Sequence, residues 1–211
     1  ERLDPYSRHH YACEPGRELS PDESLRAREA YYACVDFVDD AIGGLLGALD
    51  DAGALDNTIV IYTSDHGDMV GRHGLWGKCV PHDESIGVPL MITGPGVREG
   101  HHRVSEPISL IDLFPTTCGL AGIDAPEGLD GVDWSPVLRD AASALPREYA
   151  TSTYMTYAVK AKGAWTVSED TPAAAMRAVR ERDWKYVAID RGEPLLFDLR
   201  NDPDETTNLA G

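Results

Sequence analysis

Thr58-Ile59-Val60-Ile61-Tyr62-Thr63 runs directly into Ser64-Asp65-His66-Gly67-Asp68. The first six residues are short, β-branched and do not alternate apolar with polar. Such a run suits a strand covered on both faces, as in a parallel sheet. Upstream, Ser20-Pro21-Asp22-Glu23 is a capping box with proline at the first helical position. Tyr31, Val35, Val38, Ile42, Leu45 and Leu49 then repeat with a helical period. Gly53 is a natural stop, and Gly43, Gly44 and Gly47 are expected to allow close packing late in the helix. Helix, short turn and buried strand together mark an α/β architecture.

Val88-Pro89-Leu90-Met91-Ile92-Thr93 repeats the strand pattern and ends in the turn Gly94-Pro95-Gly96. Ser109 to Ala121 reads as a helix bent or restarted at Pro115. A short helical piece is expected between about Pro136 and Ala144. From Pro146 the pattern changes to short strand candidates at Tyr149–Tyr154, Met176–Arg180, Trp184–Asp190 and Leu195–Leu199, which suggests an antiparallel sheet. The polar stretch 158–173 reads as a mobile loop. The expected division is therefore 1–145 as part of an α/β core with a mostly parallel sheet flanked by helices, and 146–211 as a small antiparallel α+β subdomain.

Composition narrows the function. The 211 residues carry 36 acids against 19 bases, a net charge of −17. A field of that sign repels phosphate backbones, so nucleic acid is not an expected partner. It also repels anionic substrates, so an anion site here needs a local cation or metal. No apolar run reaches the roughly 20 residues of a membrane span, and no signal peptide is visible at Glu1. Cys13, Cys34, Cys79 and Cys118 are widely spaced and read as buried free thiols rather than disulfides or a zinc site.

Ligands of open α/β sheets bind beyond the carboxyl ends of strands, where Asp65 and His66 stand. A carboxylate oxygen and an imidazole nitrogen are a ready pair of metal ligands. Alone, such a turn is more often a solvated loop. The next residues shift that balance: Gly71-Arg72-His73-Gly74-Leu75-Trp76-Gly77-Lys78 places one of only four lysines in a compact glycine-rich loop. Lys78 can hold an anionic ester oxygen. His73 can bind substrate or protonate a leaving group, and a structural role for it is equally natural.

Ser64-Asp65-His66-Gly67-Asp68, then His73-Gly74-Leu75-Trp76-Gly77-Lys78, Asp83-Glu84-Ser85, Val88-Pro89-Leu90 and Gly94-Pro95-Gly96 resemble, in order and spacing, the sulfatase family of the alkaline-phosphatase superfamily. Asp112-Leu113-Phe114-Pro115-Thr116, Glu127-Gly128-Leu129-Asp130-Gly131 and the tail from Leu196 to Ala210 extend the resemblance over about residues 20–211. Arg8 and the Tyr31-Tyr32 helix also resemble choline-sulfatase-like members.

The resemblance implies an alkaline-phosphatase-like fold and hydrolysis of sulfate esters of small molecules or glycans. It implies Asp65 and His66 as ligands of a divalent metal, calcium by family habit, with manganese or zinc admitted by the His nitrogen. It implies Lys78 as the contact to the sulfate group. His at the second ligand position, where many sulfatases carry Asn, also occurs in relatives that cleave phosphonate monoesters or phosphodiesters. Gly87 stands where relatives often carry Arg.

The family nucleophile, a formylglycine made from a C/S-x-P-x-R motif, is expected upstream of this chain. Cys13-Glu14-Pro15-Gly16-Arg17 fits that formula, but no buried strand precedes it and a capping box follows it. It also lies too close to Asp65 for the intervening strands of a core sheet. We expect the isolated chain to be inactive, and a non-catalytic truncated chain is the reading from a different functional class. The substrate, oligomeric state and location are not legible in the sequence.

Overall fold

The computed structural model describes residues 19–155, 160–161, 164–165, 175–190 and 192–211. It falls into two compact units, the chain passing from one to the other between Arg98 and Glu99. The antiparallel sheet expected after Pro146 begins at Tyr149.

The first unit opens with helix α1 at Pro21–Asp51. Ser20 caps it as the sequence requires: its hydroxyl accepts from Glu23 N–H at 3.3 Å, while Glu23 Oε2 accepts from Ser20 N–H at 2.9 Å. This reciprocal pair satisfies donors that the first turn cannot. One expectation about α1 needs correction. None of its residues is buried, and Tyr32 and Phe37 are 62% and 75% exposed. Among the described residues, a Cβ placed on Gly43, Gly44 or Gly47 would touch nothing within 4 Å, so these glycines pack closely against none of them. Periodicity reports which face is apolar, not what covers it.

Strand β1 (Val60–Thr63) pairs with β2 (Leu90–Thr93). The pairing is antiparallel, with Val60 opposite Thr93 and Thr63 opposite Leu90. All four β1 residues are half-buried. Among the described residues no parallel pair is present. The expected parallel sheet is thus not seen in this chain, because an unalternating apolar run specifies coverage on two faces and not the direction of a neighbour. The 64–89 link between the strands carries the site loop and a one-turn helix, α2 (Asp83–Ile86).

In the second unit, α3 (Leu113–Ala121) follows a 3₁₀ turn at Leu110–Asp112. Pro115 lies in its first turn, where a missing N–H costs nothing, and Gly122 ends it with φ of 70°. Helix α4 occupies Ser135–Arg139. The centre of this region is the Asp112 carboxylate, which is fully buried. It accepts from Ser109 N–H (3.0 Å), Val132 N–H (2.9 Å), the Trp134 indole N–H (3.2 Å) and the Arg147 guanidinium (2.5 Å). One carboxylate thereby ties three separate segments together, 109–112, 132–134 and Arg147.

The remaining strands are β3 (Tyr149–Met155), the short pair β4 (Lys160–Ala161) and β5 (Ala164–Trp165), then β6 (Ala175–Glu181), β7 (Trp184–Ile189) and β8 (Leu195–Asp198). They form a sheet of order β3-β6-β7-β8, antiparallel throughout, as the adjacent short strands implied. The mobile-loop expectation for 158–173 lies outside the described residues apart from the β4–β5 hairpin. Alternation sorts the sheet faces: Met176, Ala178, Val187, Leu195 and Phe197 are buried. Lys185 shares that buried side and pairs with Glu205, fastening the C-terminal tail. After β8 the Asn201 side chain donates to Asp198 Oδ2 at 2.7 Å. This bond, opposed by slight desolvation and aided by two backbone N–H groups and the Arg200 charge, holds the Asp198 carboxyl below its usual range. A lowered folded pKa stabilises the turn above the unfolded value, and that contribution disappears as pH falls through the folded one.

The cysteines also differ from expectation. Cys34 is exposed, and Cys79 and Cys118 are half-buried; all three are free thiols. Cys13 lies outside the described residues. No helix among the described residues is long and apolar enough to cross a membrane.

Candidate active site

The chain leaves β1 at Thr63 and turns at once. Ser64 Oγ donates to the His66 carbonyl oxygen at 2.8 Å, and His66 N–H donates to Asp65 Oδ1 at 3.0 Å. These local bonds fold the Asp65 carboxylate toward its neighbour's ring. Asp65 Oδ1 and His66 Nε2 are 3.7 Å apart, so two donor atoms of different chemistry face the same small volume.

The other ring nitrogen decides the tautomer. His66 Nδ1 lies 2.8 Å from the Gly67 carbonyl oxygen, which can only accept. Nδ1 therefore carries the proton in the neutral ring, leaving the Nε2 lone pair free beside the carboxylate. A backbone carbonyl behind a ligating histidine is the usual way such rings are oriented. The donor set fits a divalent cation, with Asp65 side chain 86% and His66 39% exposed and thus accessible. Among the described residues no group of three His, Cys, Asp or Glu side chains completes a metal site.

Gly67 is locked for a steric reason. Its N–H donates to Ser85 O at 2.8 Å. A Cβ here would run into the Glu84 carbonyl oxygen and sit 2.8 Å from that of Gly87. The 82–87 backbone is thus pressed against Gly67, the residue after the Asp65–His66 pair. Gly67→Ala is expected to destabilise the protein by about 1–3 kcal/mol, the typical cost of overpacking against rigid neighbours. Urea unfolding checks it; an unchanged midpoint would mean the 82–87 backbone yields freely.

Beyond Gly67 the chain makes a loop that returns to itself. Met69 N–H donates to Gly77 O at 2.7 Å and Gly71 N–H to Leu75 O at 2.8 Å. Asp68 Oδ1 accepts from Val70 N–H at 2.9 Å and from Gly77 N–H at 3.2 Å. Met69 and Leu75 fill the loop's buried side. Its backbone is left-handed at Val70 (φ 43°), His73 (52°) and Cys79 (73°), besides Gly71, Gly74 and Gly77. Each non-glycine residue so held costs about 1–3 kcal/mol, and such strain collects at functional sites.

Lys78 follows Gly77 directly and is exposed. His73 is half-buried, and its ring stacks on the buried His82 with centroids 4.3 Å apart and planes 19° from parallel. His82 and His73 therefore form one unit. Arg72 Nε donates to Glu84 Oε1 at 3.0 Å, a second tie between the loop and α2. Asp68 was quoted in the motif but given no role. The signal was its place two residues before Val70, the spacing at which Asp side chains close turns on their own backbone.

A carboxylate–imidazole pair thus stands at a strand exit, beside a strained loop that carries a lysine. Comparison with known proteins specifies the class. The Sulfatase family profile matches residues 4–123, and that of the N-sulphoglucosamine sulphohydrolase C-terminal region matches residues 71–211. The chain belongs to the sulfatase family.

A choline-sulfatase of Rhizobium meliloti is 37% identical over 196 residues, 92% of this chain and 35% of that protein. The chain therefore spans about a third of the length of that curated relative. Among solved structures, a 2-O GAG sulfatase superposes with a TM-score of 0.82 at 26% identity, covering 98% of this chain and 44% of that one. The phosphonate monoester hydrolase of Agrobacterium radiobacter superposes with a TM-score of 0.73 at 33% identity, covering 87% of this chain and 37% of that one.

Proposed function

We propose that this chain supplies part of the metal- and anion-binding site of a sulfate-ester hydrolase. The observation that carries the proposal is the Asp65–His66 pair, with Nε2 turned to the carboxylate by the Gly67 carbonyl. When bound, a divalent cation at this pair withdraws charge from the ester's anionic oxygens. Calcium is the first candidate from the family, and the imidazole nitrogen also suits manganese or zinc. Lys78 offers an ammonium to the same anionic group and compensates charge building there. In a chain of net charge −17, that local cation is what admits an anion at all. His73 donates a proton to, or orients, the leaving group, its ring held by His82.

The free edge of β1 is where the rest of a mostly parallel, alkaline-phosphatase-like sheet would pair. Two ligands satisfy only part of a cation's coordination: calcium takes about six to eight oxygens. We therefore propose that the isolated 211-residue chain has no turnover. Activity needs further ligands and a formylglycine nucleophile from outside the described residues. The substrate is a sulfated small molecule or glycan, a range that the choline-sulfatase and GAG-sulfatase relatives both support.

A second reading rests on one residue. His66, with the phosphonate monoester hydrolase likeness, favours a phosphonate or phosphodiester hydrolase on the same scaffold. The test uses the chain together with whatever sequence its gene places upstream of Glu1. With calcium or manganese present, kcat/KM for an aryl sulfate is expected to exceed that for an aryl phosphonate monoester. The reverse order selects the second reading. No turnover of either, with no saturable metal binding, selects a non-catalytic chain.

A further inference from the structure

We propose that Asp68 is a positioning residue for Lys78, an inference that rests on the anion-binding reading of Lys78 above. The Lys78 loop has no covalent reason to stay near the metal-ligand pair. Its backbone visits the left-handed region at Val70, Gly71, His73, Gly74 and Gly77, and again at Cys79 just past Lys78. Left alone, Val70 and His73 would relax from those angles. One side chain opposes that relaxation at both ends of the loop. Asp68 Oδ1 accepts from Val70 N–H at 2.9 Å, where the loop begins, and from Gly77 N–H at 3.2 Å, where it closes.

Gly77 immediately precedes Lys78, and Asp68 lies two residues past His66. The carboxylate therefore sets where the lysine leaves the backbone relative to the ligand pair. Both partners of Asp68 Oδ1 are backbone N–H groups, so the task needs an acceptor at that atom and not a proton transfer. An amide oxygen has the same acceptor capacity. Charge and position are thereby separable by experiment.

The test measures kcat and KM for an aryl sulfate, using the chain with its upstream sequence and bound metal. Asp68→Ala is expected to lower kcat/KM about 100-fold, the scale of a misplacement near 1 Å. Asp68→Asn is expected to restore it to within about fivefold, since its oxygen still accepts both bonds. In a Lys78→Ala background, Asp68→Ala is expected to cost less than about threefold more, because residues acting as one unit are not additive. Calcium affinity, by titration calorimetry, stays within about threefold of the parent, because Asp65 and His66 lie outside the loop.

If Asp68→Asn is as damaging as Asp68→Ala, the charge and not the geometry is used, and the proposal falls. If the Asp68 and Lys78 effects add fully, the loop does not act through the lysine, and it falls as well. Should Lys78→Ala and Asp65→Ala both leave turnover intact, the site reading fails and takes this inference with it. If Asp68→Ala does not fold, Asp68→Ser replaces it in the same cycle. Its hydroxyl can reach Val70 N–H but is too short for Gly77.

Discussion

If Asp65 and His66 hold the proposed divalent cation, His66→Ala in the chain with its upstream sequence is expected to abolish sulfate-ester turnover and metal binding together, and Asp65→Ala to do the same. The size of the effect follows from what each side chain supplies. Losing a group one step behind a ligand, such as the carbonyl that orients a histidine ring, costs about 10–100-fold in affinity or activity. Losing the ligand itself costs more, so at least about 100-fold is expected for either variant. The 3.7 Å separation of Asp65 Oδ1 and His66 Nε2 makes them interdependent, so Asp65→Ala in a His66→Ala background adds little. His66→Asn gives a sharper test. Asn offers a hard oxygen instead of nitrogen, so metal preference is expected to move toward calcium and away from zinc. Calorimetric titration with both metals, beside kinetics on an aryl sulfate, reads both results. A His66→Ala protein that binds metal and turns over substrate like its parent would remove the site from consideration.

The second large effect concerns stability. Asp112→Ala is expected to destabilise the protein by about 3–5 kcal/mol, the cost of breaking a buried ion pair from one side. The loss has three sources. The Arg147 guanidinium, whose side chain is 14% exposed, is left charged without its partner. The Ser109 and Val132 N–H groups lose their acceptor, and so does the indole N–H of Trp134, itself 1% exposed. Each is expensive because water cannot replace the lost bond. Asp112→Asn keeps one acceptor oxygen and is expected to lose less. Replacing both partners, Asp112→Leu with Arg147→Met, is expected to recover part of the loss, since no lone charge then stays buried. Urea unfolding of the four proteins gives the ranking. A loss below about 1 kcal/mol for Asp112→Ala would reduce this network to an ordinary surface contact.

Much of the fold was written locally. The α1 boundaries follow from Ser20, Pro21 and Glu23 at one end and Gly53 at the other, because helix caps are short-range hydrogen-bond devices. The four short strands after Pro146 follow from strand-forming runs separated by turns, because turn residues bound a strand locally. The juxtaposition of Asp65 and His66 was also legible, as the two are adjacent in sequence and their turn is closed by Ser64 and Gly67. What was not legible depends on distant partners. The direction of the β1–β2 pairing and the exposure of α1 and Cys34 required knowing what lies alongside.

The sequence by itself determined which candidate groups this protein has at one place: a carboxylate, an imidazole and an ammonium in order behind a strand. The tertiary structure decided how those groups are held. It turned the His66 ring with the Gly67 carbonyl, stacked His73 on His82, and closed the lysine loop on Asp68. It also buried Asp112 among donors from three segments. The division has one physical cause. Residue types and short spacings act over a few ångströms of contiguous chain, whereas ring orientation, loop closure and burial depend on hydrogen bonds and contacts between residues far apart in sequence.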